Sequence, residues 1–148
     1  FDLFGVGWNE PKSRFERLLP WTIKKFKSYR GKVDNKIETL TQYKFSLCYE
    51  NLAGESGYVT EKIFDCLKAG SVPIYWGAEN IENYVDKKAF IDRRNFKSNR
   101  ELGEFLSRID EANYQTYIEA GQRYLQSERF LLFGREHFAD TIISTLAL

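Results

Sequence analysis

The chain has 148 residues, of which 43% are hydrophobic, 29% charged and 16% aromatic, enough for one domain with a buried core. A net charge of +1 gives no bulk attraction to nucleic acid or to a membrane surface. No apolar run is long enough to span a bilayer, and no stretch has the pattern of a signal peptide. Cys48 and Cys66 fall in a predicted strand and a predicted helix, where buried thiols are expected. That fits a reducing compartment, and no metal-ligand spacing surrounds them. The sequence holds no methionine and opens at Phe1, so a piece of a longer protein is expected.

In chain order, Phe1 to Trp8 (FDLFGVGW) reads as a strand with a tight glycine exit. Its Gly5-Val6-Gly7 lacks the third glycine of a dinucleotide fingerprint, so a first strand is favoured over a phosphate turn. Lys12 to Tyr29 carries helical apolar spacing at Phe15, Leu18, Leu19, Ile23 and Phe26, interrupted by Pro20. Lys24, Lys25, Lys27, Arg30, Lys32 and Lys36 form a loose basic cluster that reads as a solvated surface, with anion binding as the alternative. Asp34 is expected to cap a short helix from Asn35 to Gln42.

Gln42 to Gly77 is the stretch around which the rest is organised. Phe45 to Tyr49 (FSLCY) has the pattern of a strand covered on both faces. Glu50 to Gly57, with two glycines, an Asn and a Ser, is a loop. Thr60 is the predicted N-cap of a helix with Val59, Ile63, Phe64 and Leu67 as its apolar stripe and Gly70 as its C′ glycine. Val72 to Trp76 (VPIYW) is the next strand. Strand, helix and strand form a βαβ unit, and in such sheets ligands bind where strands end and helices begin.

Further on, Ala78 to Tyr84 is expected as a short helix and Ala89 to Asp92 as a strand, followed by Arg93-Arg94. That pair reads as surface charge, with a cleft-facing pair as the alternative. Ser98 and Glu101 have capping-box spacing, which places a helix from Asn99 towards Ile109. Asp110 or Glu111 begins another, in which Tyr114, Tyr117 and Tyr124 recur at the spacing of packing residues. A last helix runs from about Gly134 to Leu146 and carries His137, the only histidine, which reads as structural. The alternation predicts an α/β fold, a mostly parallel sheet with helices on both faces.

One local conflict marks the centre of the block. Lys62 is the second residue of its helix, where the macrodipole disfavours a cation. A nearby anion would remove the conflict, and helix amides with the Lys62 ammonium would hold a phosphate or pyrophosphate. A lysine pointing into solvent, offset by Glu61, satisfies the spacing equally well.

The residues of this block resemble a known family. Tyr43-Lys44-Phe45, Tyr49-Glu50-Asn51, Gly57-Tyr58-Val59-Thr60-Glu61-Lys62 and Val72-Pro73-Ile74-Tyr75-Trp76-Gly77 are similar to the signature of the family 10 α-1,3/4-fucosyltransferases, C-terminal domain, with Tyr49 where Phe is more usual. The resemblance implies one half of a GT-B glycosyltransferase: residues 1–148 as a single Rossmann-like donor-binding domain, with an N-terminal acceptor domain elsewhere. It implies binding of GDP-fucose for inverting transfer of L-fucose to a GlcNAc-containing glycan, and inactivity of this piece alone. By the same resemblance Lys62 supplies charge to the pyrophosphate. Asn51, Tyr58 and Glu61 line the donor site, Glu50 orients the loop or contacts the sugar, and Lys36 is a secondary candidate. The family's base and a phosphate-holding arginine match no position here, so no catalytic residue is named. GDP-fucose is the expected substrate, with no cofactor, metal or nucleic acid, and the expected location is cytoplasmic or peripheral at a membrane. A nucleotide-sugar-binding module or diverged glycosyltransferase that does not transfer fucose is the alternative.

Overall fold

The computed structural model describes residues 1–146. Backbone contacts divide the chain into two compact units, Phe1–Thr39 and Leu40–Leu148.

The first unit contains a two-stranded parallel pair, β1 (Leu3–Phe4) and β2 (Tyr29–Gly31), linked through α1 (Arg14–Leu18) and a 3-10 turn at Pro20–Thr22. The expected strand over Phe1 to Trp8 is thus only two residues long. Gly5 and Gly7 turn the chain out of it with φ of +118° and +81°, a region closed to most side chains. Pro20 ends the preceding helix as expected. The β2 strand lies inside the basic cluster, where its Arg and Gly mask the strand pattern. Side chains fasten the pair: the Tyr29 hydroxyl donates to Gly5 O at 2.8 Å and Arg30 pairs with Asp2 at 2.7 Å. Helix α2 (Lys36–Leu40) is capped by Asn35, whose Oδ1 accepts from Glu38 N at 3.2 Å. The expected cap was Asp34, one residue too early. None of residues 1–39 is buried.

The second unit is built on a parallel sheet of order β3–β4–β5, formed by Phe45–Tyr49, Val72–Trp76 and Ile91–Asp92. Phe45 pairs with Val72 and Tyr49 with Trp76, so β3 and β4 end together. Helix α3 (Glu61–Lys68) is the crossover between them. Its Ile63, Phe64, Cys66 and Leu67 are buried against Cys48 and Tyr75, and Gly70, at φ +72°, closes it as the expected C′ residue. On the other face, Val72, Ile74 and Ile91 pack against Leu102 of α4 (Asn99–Arg108). The side-chain alternation of β4 sends Val72 and Ile74 to one core and Tyr75 to the other. A fully buried side chain such as Ile63 contributes about 1.5–3 kcal/mol, so two filled faces hold this sheet firmly.

Helix α4 starts where its capping box predicts, with Ser98 Oγ accepting from Glu101 N at 3.1 Å. Helix α5 (Glu111–Leu125) begins at Asp110, which caps Asn113 N at 2.8 Å. Its Tyr114 and Tyr117 pack on the α4-side core and Tyr124 lies in the α3-side core, so the tyrosine series is packing, as its spacing implies. A 3-10 turn at Ile81–Asn83 replaces the helix expected over Ala78 to Tyr84, and a second at Lys87–Ala89 shortens the strand expected over Ala89 to Asp92 to β5, Ile91–Asp92. Helices α6 (Glu128–Leu131) and α7 (Arg135–Leu146) complete the unit; α7 carries His137 and buries none of its residues.

One strand expectation needs correction. Strand β3 reaches both cores, through Cys48 on one face and Phe45 and Tyr49 on the other, but Leu47, on this edge strand, is left 44% exposed. The two thiols, Cys48 and Cys66, are free and buried as expected.

Candidate functional site at the ends of β3 and β4

Where β3 ends, the Glu50 amide donates to Trp76 O at 2.8 Å and turns its side chain inward. That side chain is wholly buried. Gly77, the residue after β4, makes the room: a Cβ there would run into Glu50 Cγ and the Tyr75 hydroxyl. Burying a carboxylate is costly unless it is paired and hydrogen-bonded, and Glu50 is both. Its Oε1 accepts from Thr60 N at 2.9 Å, and its Oε2 accepts from Thr60 Oγ1 at 2.7 Å and from Lys62 Nζ at 3.0 Å.

This arrangement changes the role of Thr60. It occupies the N-cap position, but its hydroxyl makes no cap bond to the helix. The hydroxyl is given to Glu50, whose carboxylate lies against the positive end of α3. The anion that the position of Lys62 calls for is therefore present within the chain. Lys62 also donates to Asn51 Oδ1 at 3.3 Å, a longer contact. An ammonium has three N–H donors; the third finds no acceptor among the described residues, and the side chain is 27% exposed.

The loop between Glu50 and α3 is tied to β4 and to the chain after it. Gly54 N donates to Gly77 O at 3.0 Å, Gly57 N to Asn80 Oδ1 at 2.8 Å, and the Tyr75 hydroxyl to Tyr58 O at 3.5 Å. The Tyr75 hydroxyl also accepts from Ala78 N at 3.1 Å. Burial, above all, pushes its ionisation above the usual tyrosine range, so it stays a neutral hydrogen-bonding group.

Of the sequence-predicted residues, Glu50, Asn51 and Lys62 are joined by direct hydrogen bonds. Tyr58 and Glu61 flank Thr60 on the same loop and helix start, Tyr58 half-buried and Glu61 exposed. Lys36 belongs to the first unit. Arg93 and Arg94 hold structure at the end of β5: Arg93 binds Phe96 O and Asn99, and Arg94 clasps Asp92. Tyr75 and Asn80 are site-building residues that the sequence alone does not single out. Tyr75 reads as one more apolar strand residue, and nothing marks Asn80. Two concavities of the second unit, of about 120 and 850 Å3, lie along α5, and neither is lined by the five candidates, which occupy an open surface. Among the described residues no group of three or more His, Cys, Asp or Glu is placed to hold a metal, and no helix is long and apolar enough to cross a membrane.

A parallel α/β sheet with helices on both faces defines a Rossmann-like domain. The model of glycosyltransferase family 10 (fucosyltransferase), C-terminal region, matches residues 21–138, and the chain belongs to that family. It is 43% identical over 74 residues to an α-(1,3)-fucosyltransferase of Helicobacter pylori, a match covering 50% of this chain and 15% of that protein. It is 45% identical over 80 residues to an α-(1,4)-fucosyltransferase of Arabidopsis thaliana, covering 53% of this chain and 20% of the other. A crystal structure of an α1,3-fucosyltransferase with GDP-fucose superposes with a TM-score of 0.56 at 28% identity, over 78% of this chain and 36% of that one. The resemblance carried by Tyr43 to Gly77 thus holds, and the chain spans well under half the length of these relatives.

Proposed function

We propose that this chain is the donor-binding wall of a fucosyltransferase that takes GDP-fucose. The observation that carries the reading is the Lys62 ammonium, fixed by buried Glu50 at the first turn of α3 and still open to solvent on one side. Departure of GDP leaves charge on the pyrophosphate, and a cation already oriented there stabilises it without reorganising at the moment of reaction. Glu50 orients Lys62 rather than touching the sugar, because its side chain is wholly buried. Asn51, Tyr58 and Glu61, on the loop and first turn beside it, are the groups that hydrogen-bond ribose or fucose.

The reading extends to inverting transfer of L-fucose to a GlcNAc-containing glycan, in a GT-B protein whose other domain supplies acceptor contacts and base. A base has to reach the acceptor hydroxyl from the far side of the donor, and the open surface at Lys62 leaves that side to the remainder of the protein. We place the reaction in the cytoplasm or at its membrane surface, in keeping with the two free buried thiols.

Calorimetry with GDP, GDP-fucose and UDP tests the donor assignment. GDP and GDP-fucose are expected to bind and UDP to bind far more weakly; equal affinity for GDP and UDP overturns it. Lys62→Ala is expected to weaken GDP binding by about 1–3 kcal/mol, the scale of a lost charge-assisted hydrogen bond. A melting curve accompanies that variant, since it also strips a partner from buried Glu50. Asn51→Ala, at an exposed residue, gives a second reading that leaves the core alone.

A further inference from the structure

The loop carrying Asn51 and Tyr58 contains no helix or strand, so its shape depends on what holds its backbone. Of its three ties to β4 and the segment after it, Gly54 N to Gly77 O is backbone on both sides, and Tyr75 to Tyr58 O is long at 3.5 Å. The third, Gly57 N to Asn80 Oδ1 at 2.8 Å, depends on one side chain presenting an acceptor oxygen at one point. Gly57 is shaped to meet it: its φ is +79°, and a Cβ there would come within 3.2 Å of the Tyr84 hydroxyl.

Asn80 is braced in turn from β5. Arg94 Nη1 donates to the carbonyl of the preceding residue, Glu79, at 2.9 Å. The rest of its guanidinium grips the Asp92 carboxylate, with Nη2 at 2.6 Å and Nε at 2.9 Å from both oxygens. The end of β5 is thereby linked through Arg94 and Asn80 to the loop between β3 and α3. We infer that Asn80, braced by Arg94 and Asp92, is a positioning residue that sets affinity for the nucleotide-sugar donor by holding the Asn51–Tyr58 loop in its binding shape. The inference rests on the donor reading above. A loop already held loses little freedom when a ligand arrives; released, it must be ordered at the cost of binding free energy.

The test uses the 148-residue chain, GDP as the probe, and hydrogen exchange at the Gly57 amide. Asn80→Ala is expected to raise the GDP dissociation constant at least about tenfold while the melting midpoint stays in place, the signature of lost preorganisation rather than lost fold. Exchange at Gly57 is expected to accelerate, and Asn80→Asp, which keeps an acceptor oxygen there, to restore its protection. Should Asn80→Ala melt early, Arg94→Gln, which touches no loop residue, repeats the measurement with a smaller loss of affinity expected. A wild type that binds GDP beside an Asn80→Ala variant that binds equally well overturns the inference, as does unchanged Gly57 protection. A wild type that takes neither GDP nor GDP-fucose gives a different result: the donor reading fails, and the inference falls with it.

Discussion

Two regions of the second unit are made of the same chemical parts and use them in opposite ways. At the ends of β3 and β4, Lys62 pairs with Glu50 at 3.0 Å, and along the flank covered by α5, Lys44 pairs with Glu111 at 2.9 Å. Two tyrosine hydroxyls are buried in the α3-side core, that of Tyr75 at the strand ends and that of Tyr124 near the far end of α5 from Glu111. At the strand ends the glutamate is fully buried and the Tyr75 hydroxyl is bonded to Ala78 N. On the α5 flank both ion-pair partners are more than 60% exposed, and the Tyr124 hydroxyl has no partner among the described residues. Distance is therefore no measure of what an ion pair does; burial and the bonds around it are. The strand ends form a polar network built around buried Glu50 and open to solvent at Lys62, in which removing one member exposes the desolvation cost of the buried ones.

The largest effect expected of breaking this contrast is at Glu50. Glu50→Ala removes the partner of Lys62, the acceptor for Thr60 N and the acceptor for Thr60 Oγ1 together. Loss of one member of a buried ion pair costs about 3–5 kcal/mol, and a urea unfolding curve with a shifted midpoint measures it. Glu50→Gln, which keeps the volume and an acceptor oxygen, should recover part of that loss.

The next effect is at Tyr75. Tyr75→Phe keeps the ring in its packed place, 5.9 Å from Phe90, and takes away the acceptor for the buried Ala78 N. Leaving that donor unsatisfied is expected to cost about 1–3 kcal/mol by the same unfolding curve.

How far this region can be read from the sequence follows from the range of the interactions. Helix α3, β4 and Gly70 are legible because stripe, alternation and C′ glycine act within a few residues. The conflict at Lys62 is legible too, since it depends only on position within a helix. Its resolution by Glu50 is not, because the two meet across twelve residues of sequence and only the β3–β4 register brings them together. Asn80 is illegible for the same reason: its partner Gly57 N is supplied by a different loop. The exposure of Leu47 depends on β3 being an edge strand, a property of sheet order rather than of FSLCY itself. The cap of α2 is a nearer miss, since Asp34 and Asn35 have equal credentials and backbone geometry alone selects Asn35.

On the α5 flank the sign reverses. The Tyr124 hydroxyl is buried without a partner among the described residues, so Tyr124→Phe is expected to leave stability unchanged or raise it by up to about 1 kcal/mol. Burial, first of all, pushes the Tyr124 hydroxyl up to about 12. An unfolded tyrosine ionises near 10, so the folded state holds this proton more tightly. Its contribution is complete below about pH 10 and is lost as pH rises towards about 12. Alkaline unfolding curves of wild type and Tyr124→Phe should therefore diverge in that interval, with the variant holding out to higher pH. Curves that fall together would place the hydroxyl in water.

The smallest effect is at Lys44 and Glu111, and it tests the contrast most sharply because the geometry is as good as that at Lys62. The hydrogen bond to Glu111 raises the Lys44 ammonium above the usual lysine range, and the same bond lowers the Glu111 carboxyl below the usual carboxylate range. The signs are those of a real pair. For Glu111 the folded value lies below the unfolded one, so any stabilisation is present at neutral pH and lost as pH falls through the folded value. For Lys44 the folded value lies above, so any stabilisation is lost as pH rises through it. Both groups nevertheless stand in water, where ions screen them and holding two long side chains in one geometry costs entropy. Lys44 also lies 4.9 Å over the Tyr114 ring. Lys44→Ala and Glu111→Ala are each expected to leave the urea midpoint where it is at physiological salt. A double-mutant cycle should find no coupling between them, beside a large one for Lys62 and Glu50. A coupling at Lys44–Glu111 as large as that at the strand ends would show that short distance alone sets the strength, and the contrast between the two regions would collapse.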